Sequence, residues 1–345
     1  MPNGTTPAIL DGRPDTGPAH DVVIDAQNIR VEYKLGRGKT FVAIEDVNLE
    51  LRRGETLGLV GESGSGKSTL GKAIAQVPQP NAGVVNFNGT DLVKLGKREL
   101  RATRRNIQMV FQDPISSLNP RRTAVDIVAE PLRLMKHPNP RERALEMLGE
   151  VGVNIQMATR RPHELSGGQC QRISIARAFV QSPDVLICDE PVSALDVSVQ
   201  AQVLNLLESM KAEHGLSMLF ISHDLAVVSN ISDRVAVLYQ GRMCEIAPSQ
   251  ELYAAPRHPY TRLLMDSVPD PDTHTDKPTG EIEKQPATLV SPSGCRFATR
   301  CPLATKECVD NVPELRELEP GHWVACHNPL PLSPTAAAGP ALSMA

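Results

Sequence analysis

Nine residues beginning at Gly61 carry the first sign of chemistry in this chain. They fit the pattern G-x-x-x-x-G-K-[ST] and follow the apolar run 55–60; the nine are Gly61, Glu62, Ser63, Gly64, Ser65, Gly66, Lys67, Ser68 and Thr69. Glycines let backbone N–H groups surround phosphate oxygens, and a following helix adds its positive N-terminal end. Lys67 would reach the β- and γ-phosphates, and Ser68 would hold Mg²⁺. The pattern predicts a nucleoside-triphosphate site between a strand and a helix.

Two carboxylates end a second apolar run further along the chain. Residues 184–188 lead into Asp189 and Glu190, a pair that suits a metal-positioning aspartate and a water-activating glutamate. Another apolar stretch, residues 218–221, ends just before His223. Taken alone, His223 is best interpreted as a surface or structural histidine, and the two carboxylates could simply cap a helix. Their order after the phosphate pattern favours catalytic roles instead.

A pentapeptide between these motifs is far more specific than the phosphate pattern. It consists of Leu165, Ser166, Gly167, Gly168 and Gln169. This pentapeptide resembles the signature sequence of ATP-binding-cassette (ABC) ATPases, and the run 193–196 and His223 follow in that family's order. The resemblance implies that two cassettes meet head to tail, so that the signature loop of one covers ATP on the other. The residues implied to contact ATP in trans are Ser166, Gly167, Gly168, Gln169 and Asp196.

The resemblance also assigns catalytic roles. Glu190 would polarise the attacking water, and His223 would hold the γ-phosphate and orient that water. Lys67 joins them on the phosphates. Gln112 is similar to the cassette glutamine that links the metal site to a helical subdomain. It completes the implied catalytic set.

Two further ligand contacts are expected. Mg²⁺ would be held through Ser68, Gln112 and Asp189. Tyr33, in a strand predicted before the phosphate pattern, is placed to stack on adenine; the alternative is a strand tyrosine packed on a small sheet.

The elements that must position these groups follow from the patterning. Alternation over 22–33 and 41–49 predicts an antiparallel strand pair, and a helical stretch is predicted from 125 to 152. The implied fold is α/β: a P-loop ABC ATPase core with a RecA-like mixed sheet, an antiparallel β subdomain, an α-helical signature subdomain and a small Cys-rich C-terminal extension. The expected bounds are 1–20 disordered, 21–250 nucleotide-binding domain, about 113–170 helical subdomain, 251–328 C-terminal extension with a linker at 269–286, and 329–345 flexible tail.

The composition limits which classes of partner and which cellular location are expected. The 36 Lys and Arg residues nearly balance 40 Asp and Glu residues, which argues against a nucleic-acid partner. No apolar run approaches the roughly 18 to 20 residues that span a bilayer, and the polar N-terminus lacks a signal segment. The sequence predicts a soluble chain in the cytoplasm, and the resemblance places it peripherally on the cytoplasmic face of the membrane.

Seven cysteines in a cytoplasmic chain argue for free thiols or metal ligands over disulfides. Three of them fall in predicted helices and strands and read as small buried side chains: Cys170, Cys188 and Cys244. The other four cluster near the C-terminus: Cys295, Cys301, Cys308 and Cys326. Four thiolates there can converge on zinc or an iron–sulfur cluster, and spacing does not choose between them. His322 and His327 are expected at the surface, with replacement of one thiolate as the alternative.

Features beyond residue 250 indicate a particular subgroup of ABC ATPases. Residues 251–264 and the loop 115–121 are similar to those of oligopeptide and dipeptide importer ATPases. The cysteine pattern also resembles their C-terminal one, which implies a [4Fe–4S] cluster, with Zn²⁺ as the alternative. A structural role is expected, because the segment has few large apolar residues and metal ligation supplies folding free energy. Redox sensing is the other option.

The chain therefore resembles, over 22–328, the ATP-binding subunits of oligopeptide and dipeptide ABC importers, and within them the second of the two paired ATPases. The resemblance implies ATP hydrolysis that powers peptide import. The implied partners are a second ABC ATPase subunit in a heterodimer, two transmembrane permease subunits and an extracytoplasmic solute-binding protein. The sequence does not identify the transported solute, because the ATP-binding subunit does not contact it. The alternative is a soluble or redox-regulated ABC ATPase that is not coupled to transport.

Overall fold

The structure is a computed structural model that describes residues 21–36, 38–267 and 293–331. The segment 1–20 predicted to be disordered, the predicted linker 269–286 and the predicted tail from residue 332 lie outside these ranges. The described residues form two sheets with helices packed on them. This arrangement confirms the α/β class.

A small antiparallel sheet precedes and flanks the phosphate pattern. Its strand order is β2-β1-β4-β5, with β1 Val22–Gly36, β2 Lys39–Arg52, β4 Ala82–Phe87 and β5 Thr90–Asp91. The apolar side chains that alternate along β1 and β2 point into the core, where Ile29, Ile44 and Val47 are fully buried. The predicted strand pair is confirmed.

The main sheet has the order β11-β12-β10-β9-β3-β8-β7-β6. Its parallel strands are β6 Ile107–Val110, β7 Val185–Asp189, β8 Ser217–Ile221, β3 Thr56–Val60 and β9 Arg234–Tyr239; β10 Arg242–Pro248, β12 His322–Val324 and β11 Arg316–Glu319 continue it in antiparallel pairing. Every residue of β3, β7, β8 and β9 is buried. Burial on both faces explains why these strands are continuous apolar runs in the sequence.

The helices of the described residues fill the connections between strands. They are α1 Lys67–Ile74, α2 Lys97–Thr103, α3 Pro114–Ser117, α4 Ala124–Leu134, α5 Pro140–Glu150, α6 Ile155–Ala158, α7 Gly167–Phe179, α8 Val197–His214, α9 Leu225–Ile231, α10 Ser249–Ala254, α11 Pro259–Asp266 and α12 Lys306–Asp310. None of these helices is long and apolar enough to cross a membrane.

The helical stretch predicted over 125–152 is two helices, so that prediction was wrong in its continuity. Helix α4 ends at Leu134, Lys136 adopts a positive φ of 58°, and α5 begins at Pro140. Pro138 and Pro140 cause the break, because a proline lacks the N–H that continues a helix and disfavours helical geometry in the residue before it.

The C-terminal extension continues the main sheet. Strand β12 pairs with β10 through Glu245 opposite Val324 and Ile246 opposite Trp323. Tyr260 of α11 and Phe297 are almost completely buried in the main core. The extension is therefore packed into the cassette, whereas the sequence suggested a small added segment.

Candidate nucleotide-binding and catalytic site

The loop from Gly61 to Gly66 joins β3 to α1 in a shape that requires glycine. Gly66 has a φ of 106°, and a Cβ there would lie 2.7 Å from the Ile44 Cδ1 atom. Gly61 has a φ of 151°, and a Cβ there would lie 2.2 Å from the Leu238 carbonyl oxygen. Side chains at these two positions would force the loop away from its supports. The predicted strand, loop and helix are all present, in the arrangement that presents backbone N–H groups to phosphate.

Lys67 is buried at the first turn of α1 and folds back over the loop. Its Nζ donates to the carbonyl oxygens of Gly61 at 2.7 Å and Glu62 at 3.0 Å. Burial lowers the pKa of Lys67, while the nearby carboxylates of Glu190 and Asp189 act in the opposite direction. The ammonium thus lies beside the loop, facing the acidic end of β7.

A serine and an aspartate meet where Mg²⁺ was expected. The Ser68 Oγ donates to the Asp189 Oδ1 at 2.6 Å. Asp189 ends β7 and is only 3% exposed, and burial raises the pKa of its carboxyl. A cation would offset that burial, since an opposite charge favours the ionised carboxylate. Ser68 and Asp189 can therefore hold the metal together.

Glu190 lies between two other predicted site residues. Its Oε2 accepts from the Gln112 Nε2 at 2.9 Å, and its Oε1 lies 3.2 Å from the His223 Nδ1. Gln112 thus contacts the Glu190 carboxylate; the catalytic role of Glu190 and the expected bond from Gln112 to Mg²⁺ stay predictions. Glu190 also has a positive φ of 49°, a strained conformation that often marks functional residues.

The signature pentapeptide forms the start of α7. Ser166 is the N-cap: its Oγ accepts from the Gln169 N–H at 3.3 Å, and the Gln169 Oε1 accepts from the Ser166 N–H at 2.9 Å. Asp196, the N-cap of α8, is exposed, as is Ser166. Within the described ranges no hydrogen bond joins Ser166, Gln169 or Asp196 to the loop 61–69 of the same chain. Their roles in trans stay predictions.

Tyr33 lies near the tip of the small sheet. Its side chain is 39% exposed and its β2 partner in the register is Phe41, which is 51% exposed. This exposure leaves the ring free to meet a base, and adenine stacking stays a prediction. The sequence analysis did not single out Phe41.

Two residues that the sequence analysis missed contact the phosphate loop. The Tyr260 hydroxyl accepts from the Glu62 N–H at 2.9 Å, and Arg300 forms a bidentate ion pair with the Glu62 carboxylate at 2.8 and 2.9 Å. Both belong to the C-terminal extension, far from Glu62 in the sequence. No local motif marks them.

The metal centre expected from the cysteine pattern is not supported. Among the residues that the structure describes, no group of three His, Cys, Asp or Glu side chains is arranged to hold a metal ion. The four cysteines nevertheless line one small cavity: Cys295, Cys301, Cys308 and Cys326. Burial raises the pKa of Cys295 and Cys301, and that of Cys326 to about 12. As predicted, Cys170, Cys188 and Cys244 are buried.

The two C-terminal histidines differ from each other. His322 was expected at the surface, but it is buried and its Nε2 lies 2.6 Å from the Glu245 Oε1. The prediction was wrong because a carboxylate distant in sequence provides a buried partner. His327 lies near the surface, with its Nε2 3.1 Å from the Asn311 carbonyl oxygen.

Comparisons with known proteins agree with this geometry. Residues 44–193 match the family model described as ABC transporter, and residues 244–308 match that described as Oligopeptide/dipeptide transporter, C-terminal region. The Escherichia coli oligopeptide transport ATP-binding protein OppF is 47% identical over 334 residues, covering 92% of this chain and 98% of that protein. The putative oligopeptide transport ATP-binding protein YkfD of Bacillus subtilis is 46% identical over 312 residues, covering 88% and 95%.

A solved structure shows the same fold. The dimeric cassette MJ0796 bound to ADP and Pi superposes with a TM-score of 0.60 at 32% identity, covering 66% of this chain and 98% of that one. Fold and site together define an ATP-binding-cassette ATPase, an enzyme that couples ATP hydrolysis to transport. More narrowly, the chain belongs to the family of ATP-binding subunits of oligopeptide and dipeptide transporters.

Proposed function

We propose that this chain hydrolyses ATP to power the import of di- and oligopeptides through a membrane permease. The observation that carries the proposal is the placement of the Glu190 carboxylate between Gln112 and His223. The residue before it in the sequence, Asp189, accepts a hydrogen bond from Ser68. These groups lie beside the phosphate loop at the carboxyl ends of β3, β6, β7 and β8. The match of the C-terminal region to the oligopeptide/dipeptide transporter model supports the peptide class.

Different residues of the chain have different roles in ATP hydrolysis. Backbone N–H groups of residues 61–69 and the Lys67 ammonium bind the β- and γ-phosphates. Ser68 and Asp189 would hold Mg²⁺, which neutralises charge on the phosphates when bound. Glu190 accepts a proton from the attacking water through its carboxylate, while His223 orients that water. The water oxygen bonds to the γ-phosphorus as the bond from that phosphorus to the oxygen bridging to the β-phosphate breaks. ADP and inorganic phosphate then leave, and Glu190 returns its proton to the phosphate or to solvent.

A second cassette completes the site in this proposal. The exposed N-terminus of α7, with Ser166, Gly167 and Gly168, would add N–H groups and a hydroxyl to the γ-phosphate bound on a partner subunit. Asp196 would lie at the seam between the two. We propose a heterodimer with a paralogous ATPase on the cytoplasmic face of the membrane. Two permease subunits and an extracytoplasmic solute-binding protein would complete the transporter.

The test is affinity purification of a tagged Glu190→Gln variant from detergent-solubilised membranes with ATP and Mg²⁺. Loss of hydrolysis should trap the closed dimer and retain its companions. Mass spectrometry should identify two multi-span permeases and a second cassette in stoichiometric amounts. Uptake of a labelled dipeptide by vesicles holding the wild-type complex would then support the peptide class. A soluble companion, or none, would contradict the proposal.

We further propose that the four C-terminal cysteines hold a [4Fe–4S] cluster with a structural role. The supporting observation is that all four thiols line the same cavity. Each thiolate of such a cluster binds a different iron, so the sulfur atoms need not meet at one point, as four zinc ligands must. When bound, the cluster would link segments of the extension that share few large apolar side chains.

Anaerobic purification followed by metal and sulfide analysis tests the cluster. We expect iron and acid-labile sulfide in equal amounts, with loss of both in Cys301→Ser and no loss in the matched Cys170→Ser control, whose thiol lies outside the cavity. Stoichiometric zinc without iron would favour the alternative ligand. Protein with neither metal would exclude both.

A further inference from the structure

Glu62, the second residue of the phosphate loop, is held by the C-terminal extension. Its backbone N–H donates to the Tyr260 hydroxyl at 2.9 Å, and its carboxylate accepts from both Arg300 terminal nitrogens at 2.8 and 2.9 Å. Its carbonyl oxygen accepts from the Lys67 Nζ at 3.0 Å. All three polar parts of Glu62 are therefore engaged, and two of the three partners come from outside the cassette core.

The residues that hold Glu62 are themselves fixed by an aromatic cluster of Tyr239, Tyr260 and Phe297. The Tyr260 ring is fully buried, with its centroid 4.5 Å from that of Tyr239 and 5.4 Å from that of Phe297. The Arg300 guanidinium lies 5.7 Å from the centroids of Tyr239 and Phe297 and donates to the Tyr239 hydroxyl at 3.2 Å. Side chains packed in this way have little freedom to move.

The aromatic cluster includes the last residue of β9, and the turn after β9 is hydrogen-bonded to the phosphate loop. Tyr239 ends β9, and just after it the Gly241 N–H donates to the Ser65 carbonyl oxygen at 2.7 Å. The phosphate loop is therefore held at Ser65 by the core and at Glu62 by the extension. Both points lie within the stretch 61–69, whose backbone N–H groups must face the phosphates.

We propose that Tyr260 and Arg300 are positioning residues of the ATP site, through which the C-terminal extension sets the affinity of the phosphate loop for ATP. The proposal rests on the ATP-binding function proposed above. Tyr260 fixes the backbone of Glu62 and hence the carbonyl that orients Lys67. Arg300 neutralises a carboxylate that would otherwise repel the incoming triphosphate. Neither residue is required to touch ATP.

The link makes the state of the cysteine segment relevant to nucleotide binding. Arg300 directly precedes Cys301, and Phe297 lies two residues after Cys295, so both belong to the segment that forms the cysteine cavity. Through Arg300 and Glu62, this segment is therefore in contact with the phosphate loop.

Two variants test the proposal. Tyr260→Phe removes the hydroxyl and keeps the ring, and Arg300→Gln removes the charge. The dissociation constant for Mg-ATP should rise roughly 3-fold in Tyr260→Phe and roughly 10-fold or more in Arg300→Gln, from the loss of a neutral and a charged hydrogen bond respectively. In the assembled transporter KM should rise by similar factors and kcat should stay within about 2-fold. Arg262→Gln, on the exposed face of α11, is the control.

A third variant separates charge positioning from simple destabilisation. This variant combines Glu62→Gln with Arg300→Gln. If Arg300 acts by neutralising Glu62, the double variant should regain part of the ATP affinity that Arg300→Gln alone loses, because the unpaired carboxylate is gone. A purely structural role predicts no such rescue. Unchanged ATP affinity in both Tyr260→Phe and Arg300→Gln, or the absence of rescue in the double variant, would overturn the proposal. If the wild-type chain itself fails to bind ATP, the proposed function has failed instead.

If Arg300→Gln does not fold, Tyr260→Phe decides the matter alone, because its buried ring packing is retained. Thermal unfolding of each variant shows whether it has folded. A folded Tyr260→Phe with wild-type ATP affinity would then contradict the positioning role.

Discussion

Replacing Glu190 by Gln isolates the proton-accepting step. Glu190 has a nitrogen atom close to each carboxylate oxygen: the Gln112 Nε2 donates to Oε2 at 2.9 Å, and the His223 Nδ1 lies 3.2 Å from Oε1. A glutamine amide can keep both contacts, with its oxygen towards Gln112 and its NH₂ group towards an unprotonated His223 Nδ1. The variant should therefore fold and bind ATP like the wild type. What it loses is a group that can accept a proton from water.

The size of the effect follows from that single loss. General base catalysis contributes roughly 10²- to 10⁴-fold, which is about 3 to 5 kcal/mol of the activation barrier. We therefore expect kcat of the assembled transporter to fall by at least about 100-fold in Glu190→Gln, while the ATP dissociation constant of the purified chain changes by less than about 3-fold. Steady-state phosphate release and nucleotide titration measure the two quantities.

The control is Glu208→Gln, the same chemical change on the exposed side of α8, which should leave both quantities unchanged. A kcat within about 10-fold of wild type in Glu190→Gln would refute the reasoning. A large loss of ATP affinity in Glu190→Gln would instead show that the carboxylate holds the loop or the metal.

Three further perturbations have expected outcomes. Gly66→Ala places a Cβ 2.7 Å from the Ile44 Cδ1 at a φ of 106°, so strain of about 1 to 3 kcal/mol should weaken ATP binding about 5-fold or more in a nucleotide titration. His322→Ala removes a partner of the fully buried Glu245 and should cost about 3 kcal/mol in urea unfolding, with a smaller loss in His322→Gln. Ser166→Ala breaks the cap of α7 at a cost of about 1 kcal/mol; ATPase of the complex should fall while ATP affinity of the purified chain stays constant.

The strands that carry the site could be predicted because they are buried on both faces. Such strands appear as short apolar runs, and β3, β7 and β8 lie within one residue of the runs identified in the sequence. A site residue directly follows β3 and β7, and His223 follows β8 after one intervening residue, Ser222. Local sequence thus contains both the strand and the group that it presents.

Contacts across long sequence separations could not be predicted in this way. Nothing near Glu62 indicates that its partners are Tyr260 and Arg300, and nothing near His322 indicates Glu245. Each of these contacts depends on which strands become neighbours in the sheet, and periodicity does not determine strand order. The sequence therefore located the motif residues and missed those that hold them.

Strand β10 is where these unpredicted contacts converge, and it shows why the extension belongs to the ATPase unit. Its residue Glu245 accepts from the backbone N–H groups of Arg257 and His258 and contacts His322, all in the extension. On its other side, β10 pairs with β9, whose last residue, Tyr239, belongs to the aromatic cluster and packs on Tyr260. A cassette ending near residue 250 would leave the Glu245 carboxylate without donors and Glu62 without its ion pair. The extension therefore provides polar partners both to β10, at Glu245, and to the phosphate loop, at Glu62.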